Sequence, residues 1–481
     1  MANRYNQGEH VAAIPGEWWI AGNASDQPLP GALQRDEGRG GWRLDIFGAL
    51  IEPASLHLDH ANPTPTLHGF TSDGAVTALD AFLVDWRRTT RQSLKSEPYE
   101  LVTQTWQIDE LIDGGHFYSD QLWSSISFTL PRFSEMFSGK RFPDAGEISS
   151  DESSPAIVDG ARIVAWRSSA PSLSRSSTET TWKGGYEISH PDGFTLETAD
   201  RWIRALQNLH DILFGGHGTP PGYELTPIDC IDESFLARRM IRPFTNYATA
   251  DALFPFFILD DIEFEHFIPN WISLHTSAPQ WPTFGPAPGS SSYLEHQFLQ
   301  AAHRVEATSR LLFDSDTSTP EDEQEILEKI KSSLNSKQRR RVQHGLKVTR
   351  QSLSRSLKSV AEYSHEILPT PAVTEVPRWA EAVSDARNTL AHGLAPKERA
   401  SIDPHLLIAL ELSLGVVQKL AMLRAAGYTY SPRENTQPGI PSGFDPISMR
   451  QNNSDLGGDI RASRSLSPRW TKIYPQELSG R

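Results

Sequence analysis

The chain has 481 residues, 38 % of them apolar, and a formal net charge of −15. That length spans roughly two to four domains and the apolar share supplies ordinary buried cores, so the chain is globular and not disordered. The acidic balance excludes a protein that coats nucleic acid along its whole surface, but it leaves room for a local basic site.

The opening MANRYNQGEHVAAIPGEWW lacks the charged segment and apolar core of a secretory signal. The longest apolar run, Leu253–Leu259, is interrupted by Pro255 and falls well short of the roughly 18 residues of a membrane span. We therefore expect a cytoplasmic protein with no membrane partner. Cys230 is the only cysteine, which rules out an intrachain disulfide and zinc sites built on paired cysteines.

Along the chain, Trp18 and Trp19 come first, on a short extended stretch where large aromatics belong to a core or interface more often than to a ligand platform. Trp42-Arg43-Leu44-Asp45-Ile46 alternates apolar and charged residues as a half-buried strand does. The serine-rich segment Ser149–Ser177 reads as containing a mobile loop. Glu197–Phe214 stands out as a helix, with Trp202, Leu206, Leu209 and Leu213 in one stripe. Asp260-Asp261-Ile262-Glu263-Phe264-Glu265-His266 reads as a strand with Asp261, Glu263 and Glu265 on a solvated face and Ile262, Phe264 and His266 on a packed one. That alternation argues against a metal site there, and no metal or other cofactor is expected anywhere in the chain.

From Trp281 to Ser292 the sequence WPTFGPAPGSSS has no periodic apolar pattern and reads as an interdomain linker. Beyond it, helical spacing dominates over Tyr293–Phe313, Glu321–Leu334, Arg339–Ile367, Arg378–His392 and Pro404–Ala426. Basic and acidic side chains nearly balance in this region, so the acidic excess belongs to the N-terminal part. Lys337, Arg339, Arg340 and Arg341 form a basic run that either binds RNA phosphates or is a solvated helix start. Arg433–Arg481 reads as a disordered tail. The expected fold class is α+β: a strand-rich mixed domain over 1–284, an all-α bundle over 292–430, and the tail over 431–481.

One stretch carries chemistry. Asp385–Gly393 reads DARNTLAHG, at the end of a helix that can start at Pro377, bears the stripe Trp379, Val383, Ala386 and Leu390, and is stopped by Gly393 and Pro396. Asn388 and His392, four apart, nearly stack, so the amide can fix one tautomer of the imidazole. Arg387 lies about 140° around the helix from His392, yet its long stem can reach the same ligand. An imidazole at a helix C-terminus favours the protonated form, and a guanidinium beside it binds phosphate oxygens bidentately. The three groups together suit phosphodiester cleavage. The spacing alone is unspecific, since Arg339 and His344 repeat it, and the bland alternative is a helix end where His392 caps carbonyls and Arg387 pairs with Asp385 or a neighbouring helix.

RNTLAHG on a late helix of an all-helical domain resembles the signature of HEPN ribonucleases. GEWWIAG, followed by PGALQRDEGRGGWRLDIFG, is similar to the opening of the ApeA family of antiphage proteins, which join a large N-terminal domain to a C-terminal HEPN domain. The resemblance implies a metal-free endoribonuclease with Arg387, Asn388 and His392 as its catalytic residues, RNA (bulk tRNA by analogy) as substrate, and a homodimer or higher homo-oligomer. It also implies a phage-encoded protein as trigger, sensed by the N-terminal domain. Glu306 and Arg310 in HRVEATSR occupy a comparable first-helix location. The alternative from another class is a non-catalytic adaptor whose helical domain serves as a dimerisation or RNA-docking module.

Overall fold

The computed structural model describes residues 13–22, 27–36, 41–51, 65–91, 99–137, 150–173, 178–214, 222–229, 236–241, 258–277, 293–313, 353–367, 373, 375–392 and 404–429. The chain divides into two compact units, Met1–His210 with His217–Thr249, and Asp211–Gly216 with Ala250–Arg481. Strands dominate the first and helices the second, so the architecture is α+β in the order the sequence suggests.

The first unit is built on one fifteen-stranded sheet. Its strands are β1 (Ile14–Ile20), β2 (Leu29–Arg35), β3 (Trp42–Ile46), β4 (Leu67–Thr71), β5 (Gly74–Leu79), β6 (Phe82–Arg91), β7 (Tyr99–Ile108) and β8 (Glu110–Asp113). They continue with β9 (Trp123–Thr129), β10 (Ser150–Glu152), β11 (Ala156–Val158), β12 (Ala161–Leu173), β13 (Thr178–Phe194), β14 (Tyr223–Pro227) and β15 (Ala237–Ile241). The spatial order is β10-β12-β13-β9-β14-β15-β8-β5-β4-β1-β2-β3-β7-β6, with β11 paired to β12. Side-chain alternation sets which face is dry: in β3, Trp42, Leu44 and Ile46 are buried and Arg43 is exposed, as read from the sequence. With Trp18, Leu33, Leu67, Val76, Trp106, Ile108 and Leu111 they form one core.

Within the serine-rich segment Ser149–Ser177 the structure forms β10, β11 and β12, and β12 pairs antiparallel with β13 from Arg162↔Ser189 to Leu173↔Thr178, while residues 174–177, where a loop would fall, lie outside the described residues. Ile163, Val164 and Ala165 bury the strand's start, and small polar serines are tolerated in a ladder whose stability comes from cross-strand partners rather than composition.

Helix α1 (Leu196–Phe214) covers this unit's core with Ala199, Trp202, Ile203, Leu206 and Leu209. His210 Nε2 donates to the carbonyl of Pro131 at 2.8 Å, and Gln207 Nε2 bonds the Tyr223 hydroxyl at 3.2 Å. A buried ion triad adds to it. The guanidinium of Arg239 on β15 donates to both oxygens of Glu110 on β8 at 2.7 and 2.8 Å, and to Asp200 on α1 at 2.6 Å.

The second unit contains α2 (Phe264–Ser277), α3 (Leu294–Phe313), α4 (Leu353–His365), α5 (Val376–His392) and α6 (Pro404–Ala425). Four observed helices lie on predicted ones, with α4 covering only part of the span Arg339–Ile367. The expected helix over Glu321–Leu334 lies outside the described residues, as do the linker and the tail. Phe298, Ala302 and Val305 of α3, Leu357 and Val360 of α4, Val376, Trp379 and Val383 of α5, and Leu407, Leu410, Leu414 and Val417 of α6 make one core.

Two readings need correction here. Asp260–His266 is no strand: residues Leu259–Asp261 form a 3₁₀ turn, and α2 starts at Phe264. The seven-residue window shows apparent alternation, but Phe264, Phe267, Ile268, Trp271 and Ile272 are all buried at helical spacing, and Pro269 masked the pattern. Asp261 accepts a hydrogen bond from the Ile258 amide at 3.0 Å. Helix α6 is the longer apolar stretch, broken in sequence by Glu411 and Lys419. Leu406–Ala425 is long and apolar enough to cross a membrane, the one such helix among the described residues. It is instead the packed centre of the bundle: α3, α4, α5 and α2 all contact it.

Candidate active site

Helix α5 is oriented by its own sequence. Pro377 in the first turn fits a position where no amide partner is needed, and the Trp379 amide bonds the carbonyl of Glu375 at 3.0 Å. Val376, Trp379, Ala380, Val383 and Ala386 then face the core. The rotation is pinned by Trp379 Nε1, which donates to Ser413 Oγ on α6 at 2.8 Å, while that hydroxyl donates to the carbonyl of Leu410 at 2.8 Å. The indole is buried, so turning α5 strands its N–H at about 1–3 kcal/mol.

With that stripe inward, helical geometry leaves Arg387 at the edge of the buried face and turns Asn388 away from it. Measured from Val383, position 387 lies about 40° around, 388 about 140° and 392 about 180°. Asn388 is exposed and Arg387 half-buried. His392 is the last residue of the helix; its side chain and Gly393 lie outside the described portion. Arg387 Nη1 donates to Asn388 Oδ1 at 3.4 Å, a long bond. Among the described residues that is the guanidinium's one hydrogen-bond partner, and none to Asp385 is formed. A guanidinium beside a carboxamide, with no strong acceptor on either among the described residues, has the chemistry to meet an anion.

Other predicted residues fall elsewhere. Lys337, Arg339, Arg340 and Arg341 lie outside the described residues. Glu306 and Arg310 form an i,i+4 ion pair at 2.5 Å along α3, with Arg310 mostly exposed, which is the ordinary helix-surface arrangement. Among the described residues no group of three His, Cys, Asp or Glu side chains is placed to hold a metal ion.

Sequence reasoning missed a polar layer between α3 and α6. Burial pushes the carboxyl of Glu411 up and the amine of Lys419 down, and Arg304 and Lys419 each offset part of the shift at Glu411. In the same interface Gln418 donates to Thr308 Oγ1 at 3.3 Å. The available signal was Glu411 interrupting the run LLIALELSLGVV.

Comparison with known families bears on both units. The family model for ApeA N-terminal domain 1 matches residues 14–271, and that for the Apea-like HEPN domain matches 299–432. The chain belongs to the ApeA family. No curated protein and no solved structure matches it. As an ApeA-family member it is an antiphage defence protein, and its helical half is of a kind that is often a ribonuclease. The ApeA N-terminal match ends within α2, whereas the compact helical unit takes in the whole of α2. The HEPN match covers α4, α5 and α6 entirely, and with them the RNTLAH sequence.

Proposed function

We propose that the chain is a latent endoribonuclease in which a HEPN domain over 292–430 cleaves RNA through Arg387, Asn388 and His392, under the control of an N-terminal sensing domain over 1–284. The observation that supports this reading is the exposure of Asn388, beside half-buried Arg387, on a helix whose rotation is locked by Trp379 and Ser413.

In the proposed reaction the ribose 2′-oxygen attacks the adjacent phosphorus and loses its proton. The bond from phosphorus to the 5′-oxygen breaks, leaving a 2′,3′-cyclic phosphate and a 5′-hydroxyl. His392 serves as general acid or base, a contribution of roughly 10²- to 10⁴-fold. Arg387 neutralises charge on the phosphorane, and Asn388 positions the imidazole or a phosphate oxygen. All the proton transfer and charge stabilisation in this scheme comes from side chains, so it requires no cofactor. Lys337, Arg339, Arg340 and Arg341 would hold RNA phosphates, with tRNA as the substrate suggested by the family.

A single helix end supplies few groups, so two copies facing across an isologous interface would complete the cleft. The trigger in this reading is a phage-encoded protein, acting in the cytoplasm.

The test is incubation of purified protein with total RNA in EDTA, wild type against His392→Ala and Arg387→Ala, alongside toxicity on overexpression. Fragments ending in cyclic phosphate, reduced at least about 100-fold by either substitution, are the expected result. Cleavage or toxicity that survives both substitutions would assign the activity elsewhere and leave α5 a scaffold for dimerisation or RNA docking.

A further inference from the structure

A second cluster lies on the strand-rich unit. The β1–β4 register sets Glu17 opposite Phe70 and Trp19 opposite His68, so these four share the face opposite buried Trp18. The segment after β8 is strapped across that face. His68 Nε2 bonds the carbonyl of Phe117 at 2.8 Å and His116 Nε2 bonds the carbonyl of Gly69 at 2.9 Å, a reciprocal clip between strand and segment. Thr77 Oγ1 donates to the Gly115 carbonyl and accepts from the Phe117 amide, both at 2.9 Å.

The clip organises a continuous aromatic surface. The rings of His68 and His116 stack with centroids 5.0 Å apart, and Trp19 sets an edge against His116 at 4.9 Å. Tyr118 meets His68 at 5.4 Å and Phe70 meets His116 at 6.5 Å. Yet Phe70 is 59 % and Tyr118 56 % exposed. Large aromatics held rigidly and left in water cost hydration free energy without returning packing, which is the form of a preorganised contact surface.

Its chemistry has one sign. A carbonyl can only accept, so each Nε2 carries the proton, and Nδ1 of exposed His116 in the neutral ring is an acceptor. Burial lowers the pKa of His68, which keeps that ring uncharged. Glu17 is an exposed carboxylate beside Phe70. Ring faces, imidazole nitrogen and carboxylate are all electron-rich, which repels phosphate and attracts a planar cation with several donors.

We propose that this surface docks an arginine side chain presented by a protein partner. Guanidinium stacks on aromatic faces while its N–H groups reach Glu17 and His116, and aromatic and arginine residues dominate the binding energy of protein interfaces. The docking chemistry is independent of the nuclease reading; that the partner is the trigger rests on the sensing role proposed above.

The experiment titrates the full-length chain with capped glycine-spaced peptides bearing arginine, lysine or citrulline, and with free arginine, followed by tryptophan fluorescence and calorimetry. Saturable binding of the arginine peptide is expected, weaker for lysine and lost for citrulline. Phe70→Ala with Tyr118→Ala should weaken it roughly 5- to 30-fold at an unchanged melting temperature, and Phe70→Leu, which keeps bulk and removes the ring, should reproduce part of that loss. No saturable binding, equal binding of citrulline, or retention in the double variant would overturn the proposal. Free arginine binding as tightly as the peptide would overturn the assignment to a protein. In phage-challenged cells the double variant should lose protection while toxicity dependent on His392 persists. Toxicity indifferent to His392 would sink the nuclease reading and leave the docking result standing.

Discussion

The indole of Trp18 is fully buried because three glycines make room for it. A Cβ at Gly69 on β4 would stand 2.5 Å from its ring, one at Gly31 on β2 would stand 3.0 Å from it, and one at Gly16 on β1 would stand 3.2 Å from its Nε1. Gly69→Ala should therefore destabilise the first unit by about 1–3 kcal/mol, read from its denaturation midpoint. In a Trp18→Leu background the same change should cost far less, because the two positions share one space; equal costs in both backgrounds would refute the packing account. Arg239 is the other decisive residue. Arg239→Met should cost about 3–5 kcal/mol near neutral pH by stranding Glu110 and Asp200. Burial already raises the Glu110 pKa above its ordinary 4.5 in the folded chain. Losing the guanidinium, whose charge lowers the Glu110 pKa, raises it further, so the deficit is full above the variant's folded value and shrinks as pH falls from there toward the wild type's. A deficit that grows on acidification would show that the carboxylate is not the group being stranded.

At the scale of elements, α2 has two memberships. By family model it closes the N-terminal domain, but by packing it belongs to the helical unit, where it contacts α6 and Asn270 Nδ2 donates to the carbonyl of Ala426 at 3.3 Å. Met422 and Leu423 of α6 are buried outside the main helical core, and a helix apolar on all sides needs cover on all sides. A C-terminal fragment beginning at residue 258 should be soluble and melt cooperatively. One beginning at residue 292 should aggregate or lose at least about 3 kcal/mol of stability, the cost of uncovering several large side chains. Indistinguishable urea transitions for the two fragments would return α2 to the N-terminal domain.

For the whole molecule, the proposed composite cleft makes activity depend on association. Ribonuclease activity per chain should fall on dilution as copies separate, following the same concentration dependence as the mass measured by light scattering. A preparation that is monomeric at assay concentration and still fully active would remove the shared cleft, while leaving the residue assignment to be judged by its own variants.

The sequence alone determined whatever depends on neighbours a few positions apart. Helical spacing marked α1, α3, α5 and α6 to within two residues at each end, alternation marked β3, and the RNTLAH spacing marked the candidate site, because a helix or strand brings residues two, three or four apart onto one face. What needed the tertiary structure is contact between distant positions. Arg239 and Glu110 are 129 residues apart and Trp379 and Ser413 are 34 apart. Nothing local in either member of these pairs announces the other. The strands hidden in the serine-rich segment and the aromatic surface around His68 follow the same rule, since both exist only where the register of a long antiparallel sheet brings separate strands together.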